Sequence, residues 1–128
     1  MNLKEQRLKD KEDLMYHLVT TAVEGGSNHW LEMFALSDVD GNELSYRSKF
    51  LQLPAITTAF ITADDFENGD TRALHLTGIA PYVTGLRKWT RWRFNRNQPI
   101  KDWASVDFDA EDADVFMQYA LLGEIVYG

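Results

Sequence analysis

Two runs decide how this chain folds: Ile56-Thr57-Thr58-Ala59-Phe60-Ile61-Thr62 and Thr71-Arg72-Ala73-Leu74-His75-Leu76. The first is β-branched and aromatic, the composition of a pleated, half-buried surface. The second alternates polar and apolar residues, the period of a strand with one buried face. Between them lies Asp64-Asp65-Phe66-Glu67-Asn68-Gly69-Asp70. Its Asn-Gly pair is the strongest short-range hairpin signal, because both residues tolerate the positive φ that a tight turn requires. The two runs are therefore expected to form an antiparallel hairpin.

Outward from the hairpin the pattern changes to helical. Leu14, Leu18 and Ala22, flanked by Met15 and Val19, recur at helical spacing from Asp13 and stop at Gly25-Gly26, a glycine C-terminal signal. His29 to Asp38 fits helix or strand, and its length and the following Asp-Gly turn favour strand. Asp38-Val39-Asp40-Gly41-Asn42 is turn chemistry, and a loop is expected through Tyr46 to Pro54. Downstream of the hairpin, Thr77 is placed to cap a helix from Gly78 to about Phe94, with Pro81 tolerated in the first turn. Gln98-Pro99 and Trp103-Ala104-Ser105 read as a connector. Asp109 with Asp112 three residues on resembles a capping box that opens a helix over Ala113 to Tyr127. The sum is an α+β fold in one domain, 1–128: a small antiparallel sheet around the hairpin, packed by N-terminal, middle and C-terminal helices.

The 128 residues suffice for one core and not for a catalytic pair of domains. The chain contains no cysteine, which excludes disulfides, thiolate metal sites and a cysteine nucleophile. Hydrophobic residues at 45% and charged residues at 26% are globular values. The net charge of −7 argues against a general DNA-coating or membrane-surface protein. The first thirteen residues mix both charges without an apolar block, and Phe50 to Ala63 is too short and polar to cross a bilayer. A cytoplasmic location is the expectation.

The strongest local anomaly runs from Arg87 to Lys101. Arg87, Lys88, Arg91, Arg93, Arg96 and Lys101 give +6 without one acidic residue, so the rest of a chain totalling −7 carries −13. On a helix Trp89, Trp92, Arg93 and Arg96 fall at i, i+3, i+4 and i+7, which would pair indoles with guanidinium forks on one face. Arginine grips phosphate oxygens bidentately and indoles stack on nucleobases, so Arg87, Arg91, Arg93 and Arg96 with Trp89 and Trp92 are the candidate ligand-binding set. The structural alternative is that the cations complement a helix C-terminus and the Trp rings are core.

Other features read more plainly. Asp102, Asp107, Asp109, Glu111, Asp112 and Asp114 follow the basic run and can neutralise it, and capping carboxylates point at backbone N–H groups rather than converge on a metal. Asp38, Asp40, Asn42 and Glu43 lack the distal Glu of an EF-hand and read as a turn. His17, His29 and His75 lie in separate elements without a paired spacing, and no serine sits in a nucleophile-elbow or P-loop context. No metal, cofactor or catalytic constellation is expected. Trp30, Trp89, Trp92, Trp103, Tyr46, Tyr82, Tyr119 and Tyr127 are many aromatics for a small acidic chain, and a homo-oligomer with a site between subunits would use some of them.

Thr21-Ala22-Val23-Glu24-Gly25-Gly26-Ser27-Asn28-His29-Trp30 and the C-terminal Ala113-Asp114-Val115-Phe116-Met117-Gln118-Tyr119-Ala120-Leu121-Leu122-Gly123-Glu124-Ile125-Val126-Tyr127-Gly128 together cover about a fifth of the chain. They resemble a family of small bacteriophage and prophage proteins that open with a T-A-x-E-G-G-x-x-Y-W-like motif and finish with A-D-x-x-x-Q-x-A-L-F-G-E-I-V-Y-G. This chain has His29 where Tyr is usual and Leu122 where Phe is usual. The resemblance implies a phage origin, a bacterial cytoplasm and a helix-sheet-helix domain, and it brings no activity with it. Under it the two segments are expected to meet, with Glu24, Asn28, Trp30, Glu124 and Tyr127 lining a pocket or interface. Alternatively Gly25, Gly26 and Gly123 simply let helices approach, and the motifs record packing.

Two functional expectations follow. One is a non-enzymatic phage-type binder, an antagonist of host defence that sequesters a nucleotide-like anion on the Arg-Trp helix. The other is a protein-interaction module whose acidic remainder imitates nucleic acid against a host protein.

Overall fold

The structure, a computed structural model, describes residues 2–44, 55–62 and 71–128. The elements in chain order are α1 (Leu3–Thr21), a π-helical turn (Ala22–Gly26), β1 (Leu31–Asp38), β2 (Glu43–Leu44), β3 (Ala55–Thr62), β4 (Thr71–Thr77), α2 (Ala80–Asn95), a 3-10 turn (Trp103–Ser105) and α3 (Ala110–Leu122). The four strands form one antiparallel sheet in the order β2-β1-β3-β4. This is the expected α+β class, with β3 and β4 paired in unbroken register from Ile56↔Thr77 to Thr62↔Thr71. The Asn68-Gly69 turn and the Tyr46 to Pro54 loop lie outside the described residues.

One face of the sheet meets the helices. Ala55, Thr57, Ala59 and Ile61 of β3 are buried while Ile56, Thr58, Phe60 and Thr62 between them are more open, as the two-residue period demands. In β1 both Leu31 and Phe34 are buried, positions of opposite parity that an undisturbed strand cannot turn to the same side. The register shift between Leu31 and Met33 resolves this, since an extra residue in one strand reverses the alternation. The core unites these strand residues with Leu14, Leu18 and Val19 of α1, Leu86 and Trp89 of α2, and Phe116, Met117 and Leu121 of α3. Thr57 and Tyr82 share a hydroxyl hydrogen bond of 2.6 Å that joins β3 to α2 inside this core.

Helix limits depart from expectation at three ends. α1 begins at Leu3, where the Asn2 side chain accepts from the Glu5 N–H; its first turns carry only the exposed Leu3 and Leu8 among polar residues, so apolar spacing reveals only the portion from Leu14 onward. Thr77 does not cap α2: it is the last residue of β4, Gly78 follows at φ +79°, and Ile79 occupies the N-cap without a side-chain bond. α3 stops at Gly123, which adopts the left-handed C-cap conformation at φ +83°, so Glu124 to Gly128 is an extended tail rather than the final turn of a helix. The capping box is present as read, with Asp109 and Asp112 each accepting from the other's backbone N–H. No described helix is long and apolar enough to cross a membrane.

Candidate functional site

The two terminal motifs meet, and a residue neither prominent nor exposed joins them. Asp114 is buried on α3. Its Oδ1 accepts from Ser27 Oγ at 2.8 Å and from Trp30 Nε1 at 2.6 Å, and its Oδ2 accepts from Gln118 Nε2 at 3.1 Å. His29 Nε2 lies 3.5 Å from Oδ2, an ion pair whenever the ring is protonated. One turn on, Gln118 holds the tail. Its Oε1 accepts from the N–H groups of Val126 and Tyr127, both at 2.8 Å, while Nε2 also donates to the Tyr127 carbonyl at 2.8 Å. The amide thereby uses both donors and both acceptor positions. Tyr127 stacks on Trp30 with ring planes 6° apart, and its hydroxyl donates to the Thr62 carbonyl at 2.7 Å.

This arrangement fastens the tail to the sheet. Trp30 and Tyr127 are brought together as expected, whereas Glu24, Asn28 and Glu124 are exposed around them. Gly26 serves by its size: a Cβ there would stand 2.8 Å from the Ala110 carbonyl oxygen at the start of α3. The Ser27 hydroxyl, the Trp30 indole N–H and the Gln118 amide all donate to the Asp114 carboxylate, so the cluster is one acceptor surrounded by donors. From sequence, Asp114 falls in the acidic run that neutralises the basic segment and Gln118 has no role, whereas the structure makes both the centre of the junction. Their signal was available: two polar residues at i and i+4 inside an otherwise apolar run must find partners when buried.

The candidate Arg-Trp set divides into an inner and an outer half. Trp89 is fully buried, donates from Nε1 to the Asp112 carbonyl at 2.9 Å and meets Phe116 edge-on. Arg93 is buried beside it, with Nε on the Gln98 carbonyl at 3.2 Å, Nη1 on the Asp107 carbonyl at 3.1 Å and 3.3 Å from Asp112 Oδ1, and the guanidinium 5.1 Å from the Trp89 ring centroid. These two tie α2 to the connector and to α3. Arg96 lies 4.5 Å above the half-buried Trp92 ring and 3.6 Å from Glu111. Arg87 and Arg91 face outward.

Of these, Arg87 borders a groove. Leu8, Lys11, Glu12 and Met15 of α1 form one wall, Ile79, Val83, Leu86, Arg87 and Thr90 of α2 the other, and Trp103 closes one side, around a volume of about 420 Å³. The spacing on each helix is that of a single stripe along one face. Lys11 Nζ stands 4.9 Å from the Trp103 ring centroid. The groove is thus an apolar trough with an indole, one cation contributed by each helix, and the Glu12 carboxylate on the α1 wall beside Lys11. Leu8 and Val83 remain substantially exposed in it, the mark of apolar surface that the fold itself does not cover.

The acidic residues are engaged locally. Asp112 is pushed above its ordinary value by burial, against the opposing pull of the Asp109 N–H and the Arg93 charge. Asp109 is held below its ordinary value chiefly by the N–H of Asp112. The Asp38 carboxylate is lowered first by the Asn42 N–H, and it also accepts from the Asp40 N–H and the Asn42 amide in a closed turn. Among the described residues no group of three or more His, Asp or Glu side chains converges as a metal site would require. No family model, curated protein or solved structure matches the chain.

Proposed function

We propose that this chain is a non-catalytic binding protein that captures an aromatic, anionic ligand of nucleotide-like chemistry in the groove between α1 and α2. The observation that carries the reading is the groove's composition: an apolar trough with the Trp103 indole at one side and Lys11 and Arg87 on facing walls, two cations against the single carboxylate of Glu12. Its volume falls within the range of about 300 to 1,000 Å³ typical of small-molecule sites. An aromatic ring placed against Trp103 is stabilised by stacking, worth about 1 to 3 kcal/mol per base, while the ligand's negative charge lies between the two cations. Arg91, one turn beyond Arg87 and exposed, can extend the contact to a second anionic group. In the phage setting suggested by the terminal motifs, such capture would remove a host defence signal from a bacterial cytoplasm.

The other reading, an acidic decoy, draws less support. That reading uses the whole −13 remainder, and part of it is engaged within the fold: Asp102 and Asp109 accept from backbone N–H groups and Asp112 lies against the buried Arg93.

The test is a thermal-shift screen against mono-, di- and cyclic nucleotides, ADP-ribose derivatives and short oligonucleotides. A ligand at a hundred times its Kd adds about 2.7 kcal/mol, a shift of several degrees in a domain of this size. Arg87→Glu should abolish that shift without lowering the melting temperature of the unliganded protein. A shift indifferent to Arg87→Glu, or none from any ligand, overturns the proposal.

A further inference from the structure

We propose that the free edge of β4 is the interface through which two copies of the chain join, antiparallel and about a two-fold axis at Leu74, into one eight-stranded sheet. The two edges of the sheet differ. At one end the described residues of β2 are Glu43–Leu44 alone. At the other, β4 offers seven residues without proline, glycine or bulge, paired on one side to β3 and on the other to nothing among the described residues. Arg72 and His75 are its only side chains that can carry charge.

The hydrogen-bond parity of the strand sets the register. Gly78 donates to the Ala55 carbonyl at 2.7 Å, which continues the β3–β4 ladder and assigns the even-numbered residues of β4 to β3. In an antiparallel ladder the backbone groups point alternately to either side. The N–H and C=O groups of Thr71, Ala73, His75 and Thr77 therefore point outward. An axis at Leu74 sets Thr71 opposite the second copy's Thr77 and Ala73 opposite its His75, each a pair with its backbone groups turned toward the other. Every outward group then finds a partner, and no residue of the strand is left over.

Side chains agree with this register. Leu74 and Leu76 lie on the helix side but only half-buried, packed at the margin of the core. At the axis the two Leu74 residues form a non-hydrogen-bonded pair, the closer kind, with both Leu76 side chains next to them. The two cores become continuous through four leucines that each copy alone leaves partly wet. Charge permits the approach, although the chain carries −7: Arg72 faces a leucine, and the two Arg72 residues are set four strand steps apart, about 13 Å, beyond a Debye length of about 8 Å at physiological ionic strength.

The inference does not rest on the groove, which β4 does not border, so either can fail without the other. Sedimentation and light scattering across a wide concentration range should give a particle of twice 14.7 kDa. Ala73→Pro removes an outward N–H that serves nothing among the described residues, so the protein should retain its circular dichroism yet become monomeric. The chain has no cysteine, which makes a register test direct. Leu74→Cys should close an intermolecular disulfide under mild oxidation, whereas Ala73→Cys, opposite His75 rather than itself, should not. A monomer at every concentration, a dimer insensitive to Ala73→Pro, or a dimer that Leu74→Cys fails to cross-link overturns the proposal.

Discussion

At Asp114 three donors converge on one buried carboxylate, and removing it strands all of them. An unsatisfied buried donor costs about 1 to 3 kcal/mol, so Asp114→Ala should lower stability by about 3 kcal/mol or more in a denaturant titration. Asp114→Asn separates charge from geometry. Its oxygen can still accept from Ser27 and Trp30, but its amide then faces the Gln118 Nε2 donor, and an intermediate loss of about 1 to 2 kcal/mol is expected. Equal losses for the two variants would mean that charge, not acceptor count, holds the node. The consequence extends to the tail, because Gln118 positions Val126 and Tyr127. Asp114→Asn should make Glu124 to Gly128 more susceptible to carboxypeptidase than the wild type.

Between elements, α2 and α3 approach closely at Gly85. A Cβ on this α2 residue would lie 2.8 Å from Ala120 Cα and 2.9 Å from its N on α3, backbone that cannot rotate aside. Alanine is the better helix former by about 1 kcal/mol, yet forcing packed elements apart costs about 1 to 3 kcal/mol. Gly85→Ala should therefore destabilise by about 1 to 2 kcal/mol, measured by chemical denaturation; a gain in stability would show that the helices can separate freely. Position 85 also illustrates what sequence leaves hidden. The hairpin strands and the Asp109–Asp112 capping box were legible because their signals are local: alternation in one case and a three-residue spacing in the other. The end of α3 was not, because Ile125-Val126-Tyr127 continues an apolar spacing that only the backbone at Gly123 interrupts. Nor was the polar start of α1, which Asn2 caps but no apolar stripe announces.

Across the whole molecule, acid sensitivity follows from carboxylates set against each other. Asp109 lies below its ordinary value, so its contribution is complete near neutrality and is lost as pH falls through the ordinary aspartate range to its lower folded value. Asp112, raised by burial, works in the opposite sense, since its folded form takes up a proton more readily than the unfolded chain. Asp109→Ala should cost about 1 kcal/mol at neutral pH, the worth of a helix cap, and the gap to wild type should close as the pH falls from 6 to 2 in thermal melts. A gap independent of pH would assign the loss to packing. At this scale the candidate site was only partly legible. Arg87 stood out within the basic run, but Lys11 lies in a mixed-charge segment, Trp103 in a connector, and Val83 in a helix start. The groove exists because α1, α2 and the 3-10 turn are brought side by side, an adjacency that no local period records. The outward face expected of the Arg-Trp helix was divided for a related reason: Trp89 and Arg93 are needed inside, where Asp107 and Asp112 receive them.

The bond from Ser27 to Asp114 spans 87 residues, and that from Trp30 to the same carboxylate spans 84. During synthesis the segment that joins α1 to β1 therefore leaves the ribosome long before its buried Ser27 and Trp30 have an acceptor. Loop closure over such separations slows folding. The body cannot complete itself until α3 emerges, so nascent chains arrested before Asp114 should remain open to protease and chaperone, and protection should arise abruptly rather than strand by strand.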